Sequence, residues 1–181
     1  MNWRSRTQTG IAAAWAVFIG GTGVAFAKEK SKDNTPPPVP VEIAFKAAFP
    51  KAEVTKLDVE EENGVSVYDF EFRDGGSEKE TDIAADGTTL EVTLVIDATR
   101  VPPAAINTIR RASKGAQMKR IEEVKVIYKT EAGKITKLPK AKTQYAVEIT
   151  RGDRKAEIVV AADGALLEPG HWRPEKENER R

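Results

Sequence analysis

The sequence contains almost the same eight residues twice, as AADGTTLE at residues 84–91 and as AADGALLE at residues 161–168. An Asp-Gly pair supplies the positive φ angles that tight hairpin turns require, so each copy is predicted to be a turn that precedes a strand. The surroundings of the two copies also correspond, because Tyr68 and Tyr145 precede them by the same interval. The pattern therefore favours an internal repeat of a supersecondary unit over a chance similarity between two turns.

The first copy belongs to a stretch after Pro50 in which apolar and polar residues alternate. This alternation predicts strands with one apolar face and one polar face, and Tyr68, Phe70 and Phe72 are predicted to be core. The stretch is interrupted where Asn or Asp is followed by Gly, at Asn63-Gly64, Asp74-Gly75-Gly76 and Asp86-Gly87. We therefore expect four antiparallel strands joined by three hairpins, after a short amphipathic helix in VEIAFKAAF, residues 41–49.

The same order of elements begins again at Val101-Pro102-Pro103. AAINTIRRASKGA, residues 104–116, predicts a second amphipathic helix. Further strands are expected over residues 118–130, 144–151, 155–162 and 166–168. The chain is thus predicted to have an α+β fold of two tandem αββββ repeats, residues 40–97 and 100–168, with the helices packed on one face of antiparallel sheet.

Residues 1–27 have a different character from the rest of the chain. Arg4 and Arg6 precede an uncharged stretch, residues 11–27, that ends in Ala-Phe-Ala. This pattern is typical of a signal peptide cleaved before Lys28, and the mature protein is then periplasmic or extracellular with no further membrane contact. An uncleaved membrane anchor is the alternative, although the stretch is shorter than the roughly 20 apolar residues that a membrane span needs. The other segments outside the repeats are a proline-rich linker, residues 28–39, and a charged tail, residues 169–181.

The composition excludes several kinds of chemistry. The sequence has 29 Lys and Arg residues against 28 Asp and Glu residues, a balance that gives no broad field for attracting nucleic acid. There is no cysteine, so disulfides and thiolate metal ligands are excluded. The only histidine, His171, lies in the tail, away from any second histidine with which it could form a catalytic pair or a metal site. We expect no cofactor, no metal and no nucleic-acid partner.

Several stretches resemble the PepSY-like domains of exported bacterial proteins, which are also described as β-lactamase-inhibitor-like. They are VEIAFKAAFPKAEV, YDFEF and AADGTTLE in the first repeat and VPPAAINTI, QYAVEI and EIVVAADGALLE in the second. The resemblance covers nearly all of residues 40–168. It implies an exported α+β binding module in which helices cover one sheet face and the other face can receive a partner. Inhibition of a hydrolase is one activity in that group, but the resemblance assigns no inhibitory contact to a residue of this chain.

We expect a non-enzymatic module that binds a protein or peptide of unknown identity. The binding surface is expected to be the exposed polar face of the sheet, including Asp69, Glu71, Glu91 and Glu148, or the groove between the repeats. A small-ligand sensor or a stability module of the cell envelope is the alternative function. A hydrolase with paired carboxylates is less favoured, because no two acids stand apart from the charged strand faces.

Three other features have an ordinary structural interpretation. The dense run of acids from Asp58 to Glu62 is interpreted as a solvated strand face that discourages edge pairing. The tripeptide Arg151-Gly152-Asp153 is interpreted as a hairpin turn instead of an adhesion motif. Trp172 follows the last predicted strand and either packs onto the fold or is exposed.

Overall fold

The protein's structure is a computed structural model that describes residues 36–175. The predicted signal peptide, most of the predicted linker and the end of the tail lie outside the described residues. The helices are α1 (Val39–Ala48) and α2 (Pro103–Ala112), and a short 3-10 turn (Ala98–Arg100) precedes α2. The strands are β1 (Glu53–Glu62), β2 (Val65–Asp74), β3 (Ser77–Ala84), β4 (Thr89–Ile96), β5 (Gln117–Glu131), β6 (Lys134–Arg151), β7 (Arg154–Ala161), β8 (Leu166–Glu168) and β9 (Arg173–Pro174).

All nine strands belong to one antiparallel sheet, in which β1 to β8 follow each other in chain order and β9 lies beside β7. β4 pairs directly with β5, for example through Thr93 and Val124. The expected fold of two tandem αββββ repeats with helices packed on sheets is therefore wrong. Strands make up 59% of the described chain, and the two helices have only 10 residues each. Separate sheets would leave the backbone groups of β4 and β5 unpaired at two edges, and joining these strands satisfies them.

Each short helix buries a small apolar stripe against the sheet. Val41 and Phe45 of α1 pack with Phe70, Phe72 and Ile83, and the rings of Phe45 and Phe70 stack with centroids 4.3 Å apart. The predicted core position is therefore confirmed for Phe70 and Phe72, whereas Tyr68 is only partly buried against this cluster. The corresponding cluster under α2 contains Ala105, Ile106, Ile109, Tyr145, Val147, Ile149 and Ile158.

The two AADG segments are turns, as predicted, and each lies beneath the first turn of a helix. Asp86 accepts a hydrogen bond from the Thr88 N–H at 2.8 Å, and Asp163 accepts one from the Ala165 N–H at 3.0 Å. The glycine that follows each aspartate has a φ angle of +88° or +92°. A Cβ atom on these glycines would lie 2.9 Å from the carbonyl oxygen of Pro40 and 2.8 Å from that of Ala104, respectively. Glycine is required here both for the backbone angle and for the close approach of the helix.

The sheet curls away from the helices, so that the β1–β2 turn touches the β5–β6 turn. The Gly133 N–H donates a hydrogen bond to the Asn63 carbonyl oxygen at 2.6 Å, and Asn63 Nδ2 donates one to Thr130 Oγ1 at 3.0 Å. We call this contact the latch. The sheet face opposite the helices lies inside the curl, and we call it the inner face. Two apolar clusters lie there: Val65, Val67, Ala84 and Leu90 with Tyr128 and Ile135, and Val124, Val126, Ala146 and Val159 with Leu138 and Leu167.

The beginning of the tail packs back onto the sheet. Trp172 is partly buried against the cluster under α2, and the guanidinium of Arg151 lies 4.8 Å from the centre of its ring. Arg154 donates a hydrogen bond to the Trp172 carbonyl oxygen at 2.9 Å. Of the two positions that the sequence left open for Trp172, the structure therefore shows the packed one. No helix within residues 36–175 is long and apolar enough to cross a bilayer.

Candidate functional site

The inner face carries a row of four carboxylates from four adjacent strands. Asp58 of β1 stands opposite Asp69 of β2, Asp69 opposite Asp82 of β3, and Asp82 opposite Glu91 of β4. We call these four residues the acid ladder. Residues directly opposite in an antiparallel pair have Cβ atoms about 4.5–5.5 Å apart, and like charges in such positions destabilise the sheet. The ladder is therefore a costly arrangement that local strand propensity does not explain.

Burial makes the repulsion within the ladder stronger. Asp69 and Glu91 have only 6% and 8% of their surface exposed, whereas Asp58 and Asp82 are half-buried. Burial, and then the charge of Asp82, raises the pKa of Asp69. Burial, and then Glu91, raises the pKa of Asp82, while burial and Glu62 raise the pKa of Glu91. Near neutral pH these carboxyls therefore hold protons more readily than free carboxyls do, because each charged form is poorly solvated and faces other acids.

Two cations from the same chain neutralise acids at one end of the ladder and beside it. Lys56 Nζ lies 2.7 Å from Asp58 and 2.8 Å from Glu71, and although burial lowers its pKa, the hydrogen bonds to these acids raise the pKa overall. Arg120 of β5 reaches across β4 to Glu80, at 2.6 Å, and also pairs with Glu122. A third contact joins Arg120 to Glu78 at 3.5 Å.

Neither of these cations pairs with the ladder residues on β3 and β4. The ion pairs among the described residues include none to Asp82 or Glu91. The row continues beyond Glu91 through Val126 to Lys142, which is exposed and has another interaction of its own. Within residues 36–175, Asp82 and Glu91 therefore have no cation at short range. Asp69 has no ion pair either, but the charge of Lys56 acts against the rise of its pKa.

The four residues predicted at the binding surface all lie on the inner face. Asp69 and Glu71 are on β2, Glu91 is on β4, and Glu148 is on β6, where it stands opposite Arg120. The curl of the sheet brings Asp69 and Glu91 into the acid ladder and buries both, so these two are not on the exposed surface that the strand pattern suggested. Glu71 and Glu148 remain half-buried.

Sequence reasoning left Asp82, Arg120 and Gln144 out of the predicted binding surface. The alternation of Asp82 with Ile83 did place this acid on the polar strand face, in the same way as Asp69 beside Phe70. Arg120 and Gln144 gave no such signal, since their positions relative to the acids depend on the pairing of β4 with β5. Gln144 is only 3% exposed, and its Nε2 atom has no hydrogen-bond acceptor among the described residues.

The other sequence features contribute no site of this kind. His171 is exposed, and within residues 36–175 no group of three His, Asp or Glu side chains has an arrangement that could hold a metal ion. The arginine of the Arg-Gly-Asp turn, Arg151, donates hydrogen bonds to the carbonyl oxygens of Gly115 at 3.0 Å and Lys114 at 2.7 Å. Its guanidinium is thus held against the protein instead of being presented at the tip of the turn.

Comparison with solved structures identifies proteins of similar fold. The chain is similar to a presumed periplasmic protein from Bacteroides eggerthii, with a TM-score of 0.57 and 16% identity over 80% of this chain and 94% of that one. It is also similar to a DUF2874 family protein from Bacteroides uniformis, with a TM-score of 0.54 and 18% identity over 78% and 91% of the two chains. A BLIP-like protein from Bacteroides fragilis has a TM-score of 0.51 and 19% identity over 81% and 92%.

At these identities the similarity shows the fold alone. It supports the β-lactamase-inhibitor-like part of the resemblance found in the sequence, and it does not extend to PepSY-like domains in particular. No protein-family model matches the sequence, and no match is found among curated proteins.

Proposed function

We propose that this chain is an exported, non-enzymatic binding protein that engages a protein or peptide through the inner face of its sheet. The observation that carries the proposal is the acid ladder. Four carboxylates in register lower the stability of the sheet. Features that oppose stability are characteristic of functional sites, where a ligand compensates for them.

Export of the chain is supported by two independent features. Residues 1–27 have the charged start, apolar middle and small-residue end of a signal peptide. The neighbour of similar fold from Bacteroides eggerthii is described as a presumed periplasmic protein. An exported protein meets its partner outside the cytoplasm, so the search for a partner starts with exported proteins.

The proposal is tested by capture followed by titration. The mature chain, residues 28–181, is immobilised and exposed to the exported proteins of its source organism, and each captured protein is purified and titrated against variants. Asp82→Lys reverses a charge in the acid ladder, and Glu61→Lys makes the same change at an exposed position on the other face of β1. We expect Asp82→Lys to weaken binding at least about tenfold, which is about 1.4 kcal/mol, and Glu61→Lys to leave it unchanged.

Two outcomes would contradict the proposal. One is a partner that binds both lysine variants as well as the wild type, because the inner face would then not be the binding surface. The other is the absence of any captured protein that binds in titration. Circular dichroism of each variant shows whether a loss of binding reflects a loss of folding.

Hydrolase inhibition is a particular form of this function. The neighbour from Bacteroides fragilis is described as BLIP-like, so a β-lactamase is the first enzyme to assay with the purified chain. A fall in hydrolysis rate with increasing concentration of the chain would support inhibition. An unchanged rate would remove this enzyme class as a partner while leaving other partners open to the capture experiment.

A further inference from the structure

The charges around the acid ladder show where the fold lacks a cation. Lys56 pairs with Asp58 at one end of the ladder, and Arg120 pairs with acids of the neighbouring row. Both cations are partly or largely buried, with 29% and 11% of their side chains exposed. The gap at Asp82 and Glu91 is acidic and partly buried, and a cationic group from outside would favour the charged form of these carboxyls.

A second and independent feature of the inner face also lacks a partner. Gln144 lies in the row next to the ladder, which runs across the strands through Glu80, Thr93 and Val124. Its amide therefore projects from the same face as the ladder. The Nε2 group is buried without an acceptor among the described residues, and a buried donor without an acceptor destabilises a fold. The missing group at Gln144 is a hydrogen-bond acceptor, whereas the missing group at the ladder is a cation.

One ligand class carries both groups at a suitable separation. Gln144 on β6 is two strands and one row away from Glu91 on β4, which corresponds to about 12 Å between Cα atoms at the usual strand spacing and rise per residue. A lysine or arginine residue in a peptide has its charge at the far end of a long side chain and its acceptor, the carbonyl oxygen, on the backbone. A metal ion or a polyamine could approach the acids, but neither brings an acceptor for Gln144.

We propose that the inner face binds a basic segment of its partner, with one lysine or arginine side chain at Asp82 and Glu91 and a nearby peptide carbonyl oxygen accepting a hydrogen bond from Gln144 Nε2. This inference rests on the proposed function and adds the chemistry of the partner. Asp82 is half-buried, so the cation approaches the ladder at this residue and Glu91 lies behind it.

The test uses a defined probe, the blocked pentapeptide Gly-Gly-Arg-Gly-Gly, in an NMR titration of the isotope-labelled mature chain up to about 10 mM, since one charged contact gives affinities near the millimolar range. We expect shifts of amide signals in β3, β4 and β6. The same peptide with citrulline in place of arginine keeps the shape and loses the charge, and it should cause no comparable shifts. Spermidine provides cationic groups without a carbonyl oxygen.

Two variants separate the two contacts. Asp82→Asn should weaken the arginine peptide about tenfold or more and should weaken spermidine as well, because a charged hydrogen bond is lost. Gln144→Met should weaken the peptide about three- to tenfold and leave spermidine unchanged. Gln144→Met should also unfold at the same temperature as the wild type or higher, because it removes a donor that has no acceptor within residues 36–175. Glu61→Gln, on the opposite face, is the matched control and should change nothing.

Several results would overturn the inference: no shifts with the arginine peptide, equal binding of the citrulline peptide, or unchanged peptide affinity in either variant. Its failure can be told apart from failure of the proposed function. If a captured protein depends on Asp82 while the arginine peptide does not bind, the binding function stands and the basic segment is wrong. If the peptide binds as expected and no protein is captured, the chemistry of the face stands and the protein partner is wrong.

Discussion

Replacing Asp82 by Asn is expected to stabilise the fold near neutral pH, because it removes one charge from the acid ladder and keeps the shape of the side chain. Asp82 stands opposite Asp69 on one side and Glu91 on the other. Each directly opposed pair of like charges costs roughly 0.2–1 kcal/mol, so losing two pairs should raise the free energy of unfolding by about 0.4–2 kcal/mol. For a domain of this size the corresponding rise in Tm is about 1–8 °C.

The gain should depend on pH in a defined direction. Burial and neighbouring acids raise the pKa of Asp82, and those of Asp69 and Glu91, above the ordinary values of 3.8 and 4.5. A carboxyl whose pKa is raised by folding binds protons more tightly in the folded chain. Its contribution to stability is therefore complete below about pH 4 and is lost as the pH rises through the raised value. Asp82→Asn should make the loss of stability with rising pH smaller, and it should give little gain in stability at about pH 4.

Urea unfolding, monitored by circular dichroism, measures both the gain in the free energy of unfolding and its dependence on pH. Wild type, Asp82→Asn and the control Glu61→Gln are compared at about pH 4, 6 and 8, which extend upward from the ordinary pKa of a carboxyl. Glu61 is exposed and lies on the other face of β1, so its variant should follow the wild type at each pH. A gain for Asp82→Asn that is the same at all three pH values, or a loss of stability at the highest pH, would refute the account of the ladder as a row of opposed charges.

Three further predictions, which use four substitutions, test the architecture of the sheet and its helices, and all are measured by the same urea unfolding. Gly164→Ala should lower the free energy of unfolding by about 2–3 kcal/mol, because it combines a φ of +92° with a Cβ placed 2.8 Å from a carbonyl oxygen of α2. The control Gly152→Ala, at a φ of +61° in open space, should lower it by only about 1 kcal/mol. Equal losses would show that the close contact with α2 is unimportant. Asn63→Gly keeps the positive φ of the latch turn but removes the side-chain hydrogen bonds to Thr130, so the free energy of unfolding should fall by about 0.5–1 kcal/mol. Amide exchange in the β5–β6 turn should become faster, and unchanged exchange would show that the latch does not restrain that turn. Arg120→Leu should cost about 3–5 kcal/mol because buried glutamates lose their shared cation, and a loss below about 1 kcal/mol would show that this cation is dispensable.

Local features were predictable from the sequence because they depend on neighbouring residues. The turn at Asp86-Gly87 could be predicted, since the Asp side chain and a positive φ at Gly are satisfied within the turn itself. The burial of Phe70 and Phe72 could be predicted from strand alternation, because the side chains of every second residue share a face.

The architecture could not be predicted in the same way. The step from β4 to β5 passes through the 3-10 turn and α2, and no residue in that connection specifies which strand the chain pairs with on its return. The repeated order of elements therefore favoured two units, whereas the hydrogen-bonding groups along β4 are satisfied by β5 in one sheet.

The sequence alone determined which residues of each strand point to the apolar face and which to the polar face. Asp58, Asp69, Asp82 and Glu91 were thereby placed on the polar face. Only the tertiary structure decided that these acids stand in register, that the latch encloses their face, and that Gln144 lies buried in the neighbouring row. The physical reason is that backbone geometry makes successive side chains of a strand point to opposite faces, so the face of each residue follows from its immediate neighbours. Register, curl and burial depend on contacts between strands that are distant along the chain, and an acid predicted to be solvated became part of a buried row of like charges.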